Sequence, residues 1–455
     1  MASRGFASSI QFGADLPNCA LTLRYVHVPK ATVTPGASQR DGRVEWKRMA
    51  ATDRDLVQNQ PPAVLLGLDS YIGLQTARIL SQRRVHVIGV ASDPKSAYCR
   101  SRSVAAVVRA EPDAGSIGEL VRLGASFDAK PVLIPCSDDW VLVASRDRAQ
   151  LLPHFQLVLP EADSVERLMD KSLFYAFAGE RQFPVVPFET VRDLRDVERA
   201  AELLGFPVIV KPTHRSSSFA QCAGEKAVRV DTAEELLALV ERCGATVPEL
   251  VVQQWIEGGD SDLIACNLYV DRQGEIQVTF VTRKIRQYPP LTGQACLAEE
   301  AADSELLALT ISLFREAGLI GLGYLEWKRD ARNGRPFIIE PTVGRPPGRV
   351  PITEAAGVEF LYTVYCDAAG LPLPDDRIQL HGDAKWIYLT RDIASAWHYF
   401  RRGELTLREW LRSVRGPKYY AVFSWSDPVP FFLDIPQSIR RGFRLKREAR
   451  RVPAG

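Results

Sequence analysis

Short apolar runs alternate along this chain with stretches whose apolar residues recur every three or four positions, and the alternation sets in only at Pro62. Ala63–Leu66 is an apolar run closed by Gly67 and predicts a strand; Tyr71–Ser81 carries the helical period; Val85–Val90 and Pro131–Pro135 predict two more strands. Strands spaced by helices in this order point to a parallel sheet with crossover helices. Residues 1–58 carry no sustained period and Thr32–Gly42 is turn chemistry throughout, so this segment reads as a disordered arm, with Met49 as the expected natural start.

A second pattern begins near Ser164. Ser164–Ala178 has helical spacing with Ser164 as the expected N-cap, and Phe206–Pro212 is a β-branched strand that ends in a lysine and a proline. A Ser-rich loop, His214–Phe219, leads to a returning strand at Lys226–Val230, a capped helix at Asp231–Val240 and a strand at Leu250–Ile256. Beyond Ser261 the pattern turns antiparallel. Strands Leu263–Val270 and Glu275–Val281 flank the turn Asp271–Gly274, and after a helix at Ser304–Ala317, strands Gly323–Lys328 and Pro336–Ile339 flank Asp330–Gly334. The expected fold class is therefore α/β and α+β. A parallel-sheet domain spans 59–160, a two-lobed domain 161–373, and an extension rich in aromatic and basic residues 374–455.

Of the 455 residues, 46% are hydrophobic and 25% charged, and 57 Lys and Arg against 55 Asp and Glu leave a formal charge of +2. This balance fits a globular chain of about three domains and argues against nucleic-acid binding by bulk electrostatics. Every apolar run falls well short of the roughly 18 residues of a membrane span. The opening residues include Arg4, Asp15 and Pro17 and lack the apolar centre of a secretory signal, so a cytoplasmic chain is expected. Eight cysteines, at 19, 99, 136, 222, 243, 266, 296 and 366, form no CxxC pair and read as reduced thiols.

The chemistry is carried by an ordered set of residues. They are Asp170-Lys171, Lys211 at the end of Val-Ile-Val-Lys-Pro, the stretch Val252–Asp260 (Val-Gln-Gln-Trp-Ile-Glu-Gly-Gly-Asp), Glu326 in Tyr-Leu-Glu-Trp, and Glu340 to Arg345 in Ile-Ile-Glu-Pro-Thr-Val-Gly-Arg. Taken together, over about residues 62–370, this order and spacing resembles the ATP-grasp superfamily of ATP-dependent carboxylate–amine ligases, with the nearest likeness to ligases of bacterial polysaccharide and peptide biosynthesis. The 59–160 domain then corresponds to the domain that precedes the ATP-grasp domain in such enzymes, and 161–373 to the ATP-grasp domain itself.

What the resemblance implies agrees with the physics of the residues. Three ATP phosphates need neutralising in a dry cleft, and two lysines on different elements serve as compact point charges; Lys171 and Lys211 match those positions. The strand Gln253, Gln254, Trp255 and Ile256 matches the adenine-binding segment, followed by Asp260, or its neighbour Glu257, for the ribose. Mg2+, with Mn2+ as an alternative, takes carboxylate, phosphate and water oxygens. Glu326 and Glu340 sit on strands expected to lie about 4.8 Å apart, with Thr342 where the family has an Asn. Arg283 and Arg286 are candidates for the γ-phosphate or a substrate carboxylate, with Arg345 and Arg349 beside them. The resemblance implies small-molecule carboxylate and amine substrates joined through an acyl phosphate. A nucleotide-binding regulator without turnover, and a kinase-like use of the cleft, are the rival readings.

Two further features stay open in the sequence. Gly67–Gly73 has the strand-turn-helix place of a nucleotide loop but lacks the GxGxxG spacing, which leaves a structural turn or a helix N-terminus that meets a substrate carboxylate. In the extension, Trp386, Trp397, Trp410 and Trp425 either pack on the core or form a separate module. The basic run within 437–455 is a solvated tail or a contact for an anionic membrane surface or an acidic partner.

Overall fold

The computed structural model describes residues 60–214, 217–244 and 246–436, so the N-terminal arm, the proposed start at Met49 and the basic run of 437–455 lie outside the described residues. The first sheet has the order β3-β2-β1-β4, formed by Ala63–Leu66 (β1), Val87–Ala91 (β2), Ala106–Arg109 (β3) and Val132–Pro135 (β4), all parallel. Its central strand is apolar at every position because both faces are covered. Val64 and Leu66 enter one core with Ile88, Val90 and Trp140, whereas Ala63 and Leu65 enter another with Leu80, Val87 and Ile134. The turn after β1 is structural: Gly67 holds φ at +92°, and a β-carbon on Gly73 would stand 2.7 Å from the Gly67 carbonyl oxygen. The helix that follows, Tyr71–Gln82, is capped by Ser70, whose hydroxyl oxygen accepts from the Gly73 amide at 3.1 Å.

Phe188–Val191 (β5), Val208–Pro212 (β6), Val228–Val230 (β7) and Leu250–Gln254 (β8) form a second, antiparallel sheet in the order β5-β8-β6-β7. Leu263–Val270 (β9), Ile276–Tyr288 (β10), Gln294–Glu300 (β11), Gly321–Arg329 (β12), Pro336–Val343 (β13), Lys385–Ile387 (β14) and Lys418–Tyr420 (β15) form a third, in the order β13-β12-β9-β10-β11-β14-β15. Both expected hairpins are present, β9–β10 and β12–β13.

Four expectations change. The helix expected over 164–178 is two helices, Ala162–Met169 and Lys171–Glu180. Asp170 between them adopts an extended backbone and its carboxylate accepts from the Leu173 amide at 2.8 Å, because an aspartate serves better as a cap than inside a helix. Glu161, not Ser164, sits at the first cap. The Ser-rich stretch, expected as a loop over His214–Phe219, enters the helix Ser217–Ala223, since Phe-Ala-Gln-Cys-Ala sustains a helical run. Cys222 and Cys243, expected as free thiols, are joined as a disulfide between this helix and Ala233–Gly244, with their Cα atoms 5.6 Å apart. Cys99, Cys136, Cys266, Cys296 and Cys366 are free and buried.

The C-terminal extension is part of the fold. β14 pairs antiparallel with β11, and β15 pairs parallel with β14, so residues 385–420 lengthen the third sheet. Trp386 is buried between this edge and the first domain, where its indole N–H donates to Gln75 Oε1 at 2.6 Å. Among the described residues no helix is long and apolar enough to cross a membrane.

Candidate active site

The β12–β13 hairpin sets the centre of the site. Its register places Glu326 directly opposite Glu340, with Tyr324 opposite Thr342, so two carboxylates and a hydroxyl stand on neighbouring strands. Glu326 is buried. Its Oε2 accepts from Lys284 Nζ at 2.9 Å, and its Oε1 accepts from Arg349 Nη2 at 3.1 Å and from the Tyr324 hydroxyl. Burial alone would raise the Glu326 carboxyl, but the adjacent Lys284 and Arg349 outweigh it and hold the pKa at about 2. Glu340 is half-buried and its carboxylate makes no hydrogen bond or ion pair with the described residues.

Two lysines reach this centre from the second sheet. Lys211 is the last residue but one of β6, and its Nζ donates to the Tyr175 hydroxyl at 2.7 Å and lies 3.5 Å from the carbonyl of Ile339, the residue before Glu340. Burial, opposed by Glu340 and reinforced by the neighbouring Lys171, brings the Lys211 pKa down to about 7. Lys171 opens the helix capped by Asp170, and both its amide (3.2 Å) and its Nζ (3.3 Å) donate to the Thr213 carbonyl just beyond β6. The two lysines and the two glutamates are thus brought together between the second and third sheets.

Alongside, β8 supplies Gln253, buried, with an Nε2 that has no partner. Gln254 Nε2 donates to the Leu204 carbonyl at 3.4 Å. The Trp255 ring is buried with Lys328 Nζ 4.8 Å and the Arg229 guanidinium 4.9 Å from its centroid, and Lys328 Nζ also donates to the Ile256 carbonyl at 2.8 Å. Glu257 is partly exposed next to this cation.

Three of the expected residues are engaged elsewhere. Asp260 is buried, and its carboxylate accepts from the Gln287 amide (2.8 Å), Gln287 Nε2 (2.8 Å), the Leu291 amide (3.3 Å) and the Tyr399 hydroxyl (2.9 Å), which uses its lone pairs to anchor the end of β10. β10 runs on to Tyr288, so the 283–286 cluster follows strand alternation: Arg283 points to the surface and pairs with Glu299, while Lys284 points to Glu326. Arg286, on the same face as Lys284, is spent on a buried ion pair with Asp392, its Nε donating at 2.8 Å and its Nη2 at 3.1 Å. Arg283, Arg286 and Asp260 are thus each held by partners within the protein in this structure.

Arg345 stays close. Its guanidinium pairs with Asp138 at the start of the helix Asp138–Arg146 in the first domain, and Glu340 lies within its electrostatic reach. The loop from Gly344 to Val350 meets that domain again at Gly348, whose carbonyl accepts from Gln75 Nε2 at 3.2 Å; a β-carbon there would stand 2.2 Å from the Tyr71 hydroxyl oxygen. Sequence reasoning passed over Lys328, although it lies two positions after Glu326 on the same strand and shares its face, and it ranked Lys284 below its arginine neighbours.

The donor set suits a nucleotide with its metal. Among the described residues Lys171 and Lys211 make no ion pair with a carboxylate, and the buried Gln253 Nε2 has no hydrogen-bond partner. Among the described residues no group of three or more His, Cys, Asp and Glu is gathered to hold a metal unaided. Glu340 and the remaining lone pair of Glu326 Oε2 fit a hard cation that completes its shell with phosphate and water oxygens.

The chain is similar to known proteins over part of its sequence and in its fold. The chain is 30% identical over 218 residues to a D-alanine--D-alanine ligase of Methylococcus capsulatus, which is 46% of this chain and 66% of that one. It is 26% identical over 220 residues to a D-aspartate ligase of Enterococcus faecium, covering 46% of this chain and 52% of the relative. The chain thus spans about half to just under two thirds of these curated relatives. Among solved structures, an N5-carboxyaminoimidazole ribonucleotide synthetase in complex with ADP superposes with a TM-score of 0.59 at 14% identity, over 75% of this chain and 86% of that one. The biotin carboxylase domain of the 2-oxoglutarate carboxylase of Hydrogenobacter thermophilus, in complex with MgADP, superposes with a TM-score of 0.56 at 16% identity, over 72% and 74%. No family model matches the chain.

Proposed function

We propose, since the chain belongs to the ATP-grasp superfamily, that it is an ATP- and Mg2+-dependent ligase that joins a small-molecule carboxylate to an amine through an acyl phosphate. The observation that carries this reading is the Cα-paired Glu326 and Glu340 facing Lys211 and Lys171 across the two sheets. In the reaction a substrate carboxylate oxygen attacks the γ-phosphorus, ADP leaves, and the amine then displaces phosphate from the acyl carbon. Such chemistry needs no side-chain nucleophile, only positioning and neutralisation of charge.

Lys171 and Lys211 serve as the phosphate contacts. Gln253, Gln254, Trp255 and Ile256 line the base, with Glu257 taking the ribose in place of the engaged Asp260. Glu326, Glu340 and Thr342 hold Mg2+, or Mn2+, which supplies charge neutralisation between the phosphates. Lys284 and Arg349 keep Glu326 ionised, and Arg345 stands beside Glu340 for the transferring phosphoryl group. A cytoplasmic location fits a reaction that consumes ATP.

The test is ADP release from purified protein across pairs of amino acids and other carboxylates and amines. Glu340→Gln should lower Mg2+-dependent turnover by at least about a hundredfold, because it removes the carboxylate of the pair that makes no hydrogen bond or ion pair among the described residues. An unchanged rate in that variant rejects the metal assignment. Two observations favour a second reading, nucleotide binding without turnover: Glu326 is already neutralised by Lys284 and Arg349, and Thr342 is a weak ligand. Tight ATP binding with no ADP formed for any pair would establish it.

A further inference from the structure

The extension holds an arginine beside the first domain. Arg391 stands in the first turn of the helix Leu389–Arg401, and the next residue, Asp392, is fully buried and paired with Arg286, which fixes the helix in place. The Arg391 guanidinium lies over the Tyr388 ring at 4.2 Å, within the extension, and over the Tyr71 ring of the first domain at 5.5 Å. Such contacts use the faces of the guanidinium and leave its edge, where the N–H donors lie, for hydrogen bonds. Among the described residues that edge meets a single acceptor, Gln294 Oε1, to which Nη1 donates at 3.4 Å, and makes no ion pair with a carboxylate. Asp434 acts on it only through space, since its carboxylate already accepts from the Tyr98 and Tyr388 hydroxyls at 2.8 and 3.1 Å. Arg78, Arg286 and Arg349, by contrast, each face a carboxylate of the chain: Asp427, Asp392 and Glu326.

Tyr71 links this arginine to the reacting centre. Its hydroxyl packs so closely on the loop after Glu340 that a β-carbon on Gly348 would stand 2.2 Å from it, and the following residue, Arg349, donates to Glu326 at 3.1 Å. Arg345 lies within electrostatic reach of both Tyr71 and Glu340. Tyr71 therefore neighbours one arginine beside the glutamate pair and a second in the extension. Among the described residues the Tyr71 hydroxyl makes no hydrogen bond, so it too is available to a ligand.

We infer that Arg391, with the Tyr71 hydroxyl, binds a second carboxylate of the substrate whose first carboxylate is phosphorylated beside Arg345 and Glu340, so that the enzyme takes a small dicarboxylate in preference to a monocarboxylate. The inference rests on the ligase reading above and adds its substrate class. A guanidinium edge meets a carboxylate with two parallel N–H···O bonds. One unpaired cation balances one carboxylate, whereas a phosphate monoester brings a charge of about −1.5 to −2 at neutral pH, which is why the carboxylate is the group argued here.

The experiment is titration calorimetry of the full chain with succinate, glutarate, aspartate and glutamate, beside butyrate and alanine, each with and without MgADP. At least one dicarboxylate is expected to bind, at least about tenfold more tightly than either monocarboxylate. Arg391→Met keeps the apolar stem over the rings and should lose at least about tenfold in that affinity, and Arg391→Lys, which keeps the charge but not the fork, should recover only part of it. Tyr71→Phe removes the hydroxyl alone and should weaken the same ligand about threefold to tenfold. An unchanged thermal melt verifies the fold of each variant. In steady-state assays with that dicarboxylate, Arg391→Met should raise KM by a larger factor than it lowers kcat, a split that a merely structural role would not give. MgADP binding, measured first, separates two failures. A chain that binds no MgADP loses the ligase reading, and the dicarboxylate titrations without nucleotide still judge the subsite. A chain that binds MgADP but takes up no dicarboxylate, or holds one equally well in Arg391→Met, loses the subsite alone. Binding of inorganic phosphate that Arg391→Met abolishes, with no dicarboxylate bound, gives the position to a phosphate ester and overturns the proposal equally.

Discussion

Lys211 shows how one residue reports on the ligand it faces. Its pKa stands near 7 because it is buried, with Lys171 beside it, and Glu340 only partly offsets that. The sign follows from linkage. In the unfolded chain Lys211 returns to its usual value, so from about pH 7 up to that value the unfolded state binds the extra proton, and stability rises with pH across this window. Below pH 7 the full cost of charging the buried amine is borne. Lys211→Met should flatten this part of the stability profile, as measured by denaturant unfolding at several pH values. A bound triphosphate pulls the other way, because negative charge beside the amine restores its proton. ATP binding near pH 8 should therefore take up close to one proton, seen calorimetrically as a dependence of the binding heat on the buffer, and affinity should fall as pH rises above 7. Lys211→Met should lose both the uptake and at least about tenfold in affinity. Proton uptake of the same size in that variant would move the titrating group elsewhere.

Between elements, the tie that matters most is Arg286 to Asp392, which joins β10 to the helix Leu389–Arg401 of the extension. Asp392 is fully buried and also accepts from the Trp410 indole N–H at 3.0 Å, so one carboxylate holds a strand and two helices. Asp392→Ala strands a buried guanidinium and should cost about 3–5 kcal/mol. Hydrogen exchange should locate the loosening in residues 389–413, and exchange unchanged there would mean that the extension is held by its strand pairing alone. This tie was not legible in the sequence, whereas the glutamate pair was. Glu326 and Glu340 flank a short hairpin whose turn at Asp330–Gly334 is recognisable in the sequence, which brings them to neighbouring positions, whereas the bulge between Glu326 and Trp327 that sets them directly opposite is seen only in the structure. Lys211 was legible for a similar reason, since an apolar run ending in a lysine has few other uses. The partners of Arg286 and Asp260 and the pairing of β14 were not legible because they lie far away in the chain: Asp392, Gln287 with Tyr399, and β11. A three-residue strand such as Lys385–Ile387 carries too little period to announce itself. The break at Asp170 lay within reach, because a capping residue in mid-helix is itself a signal.

At the scale of the whole molecule, the extension closes back on the first domain, so the beginning and end of the described chain stabilise each other. Arg78, on the helix Tyr71–Gln82, is buried and donates to the Asp427 carboxylate, to the Asp427 carbonyl at 2.7 Å and to the Val422 carbonyl at 2.7 Å. Trp386 and Gln75 make a second crossing, and the Gln75 amide goes on to Gly348 in the loop after Glu340. The first domain thus contacts the site loop and the extension through one helix, and its stability should not separate from theirs. Asp427→Ala leaves the Arg78 guanidinium buried and unpaired, at a cost of about 3–5 kcal/mol, and with a single cooperative unit the whole unfolding curve should shift to lower denaturant with its slope unchanged. The double variant Arg78→Met, Asp427→Leu removes both charges and keeps the volume, so it should recover much of that loss even though neither single change does. If the single variant instead splits the curve in two, with the first domain unfolding ahead of the rest, the Arg78–Asp427 contact is a clasp between separable units rather than part of one core.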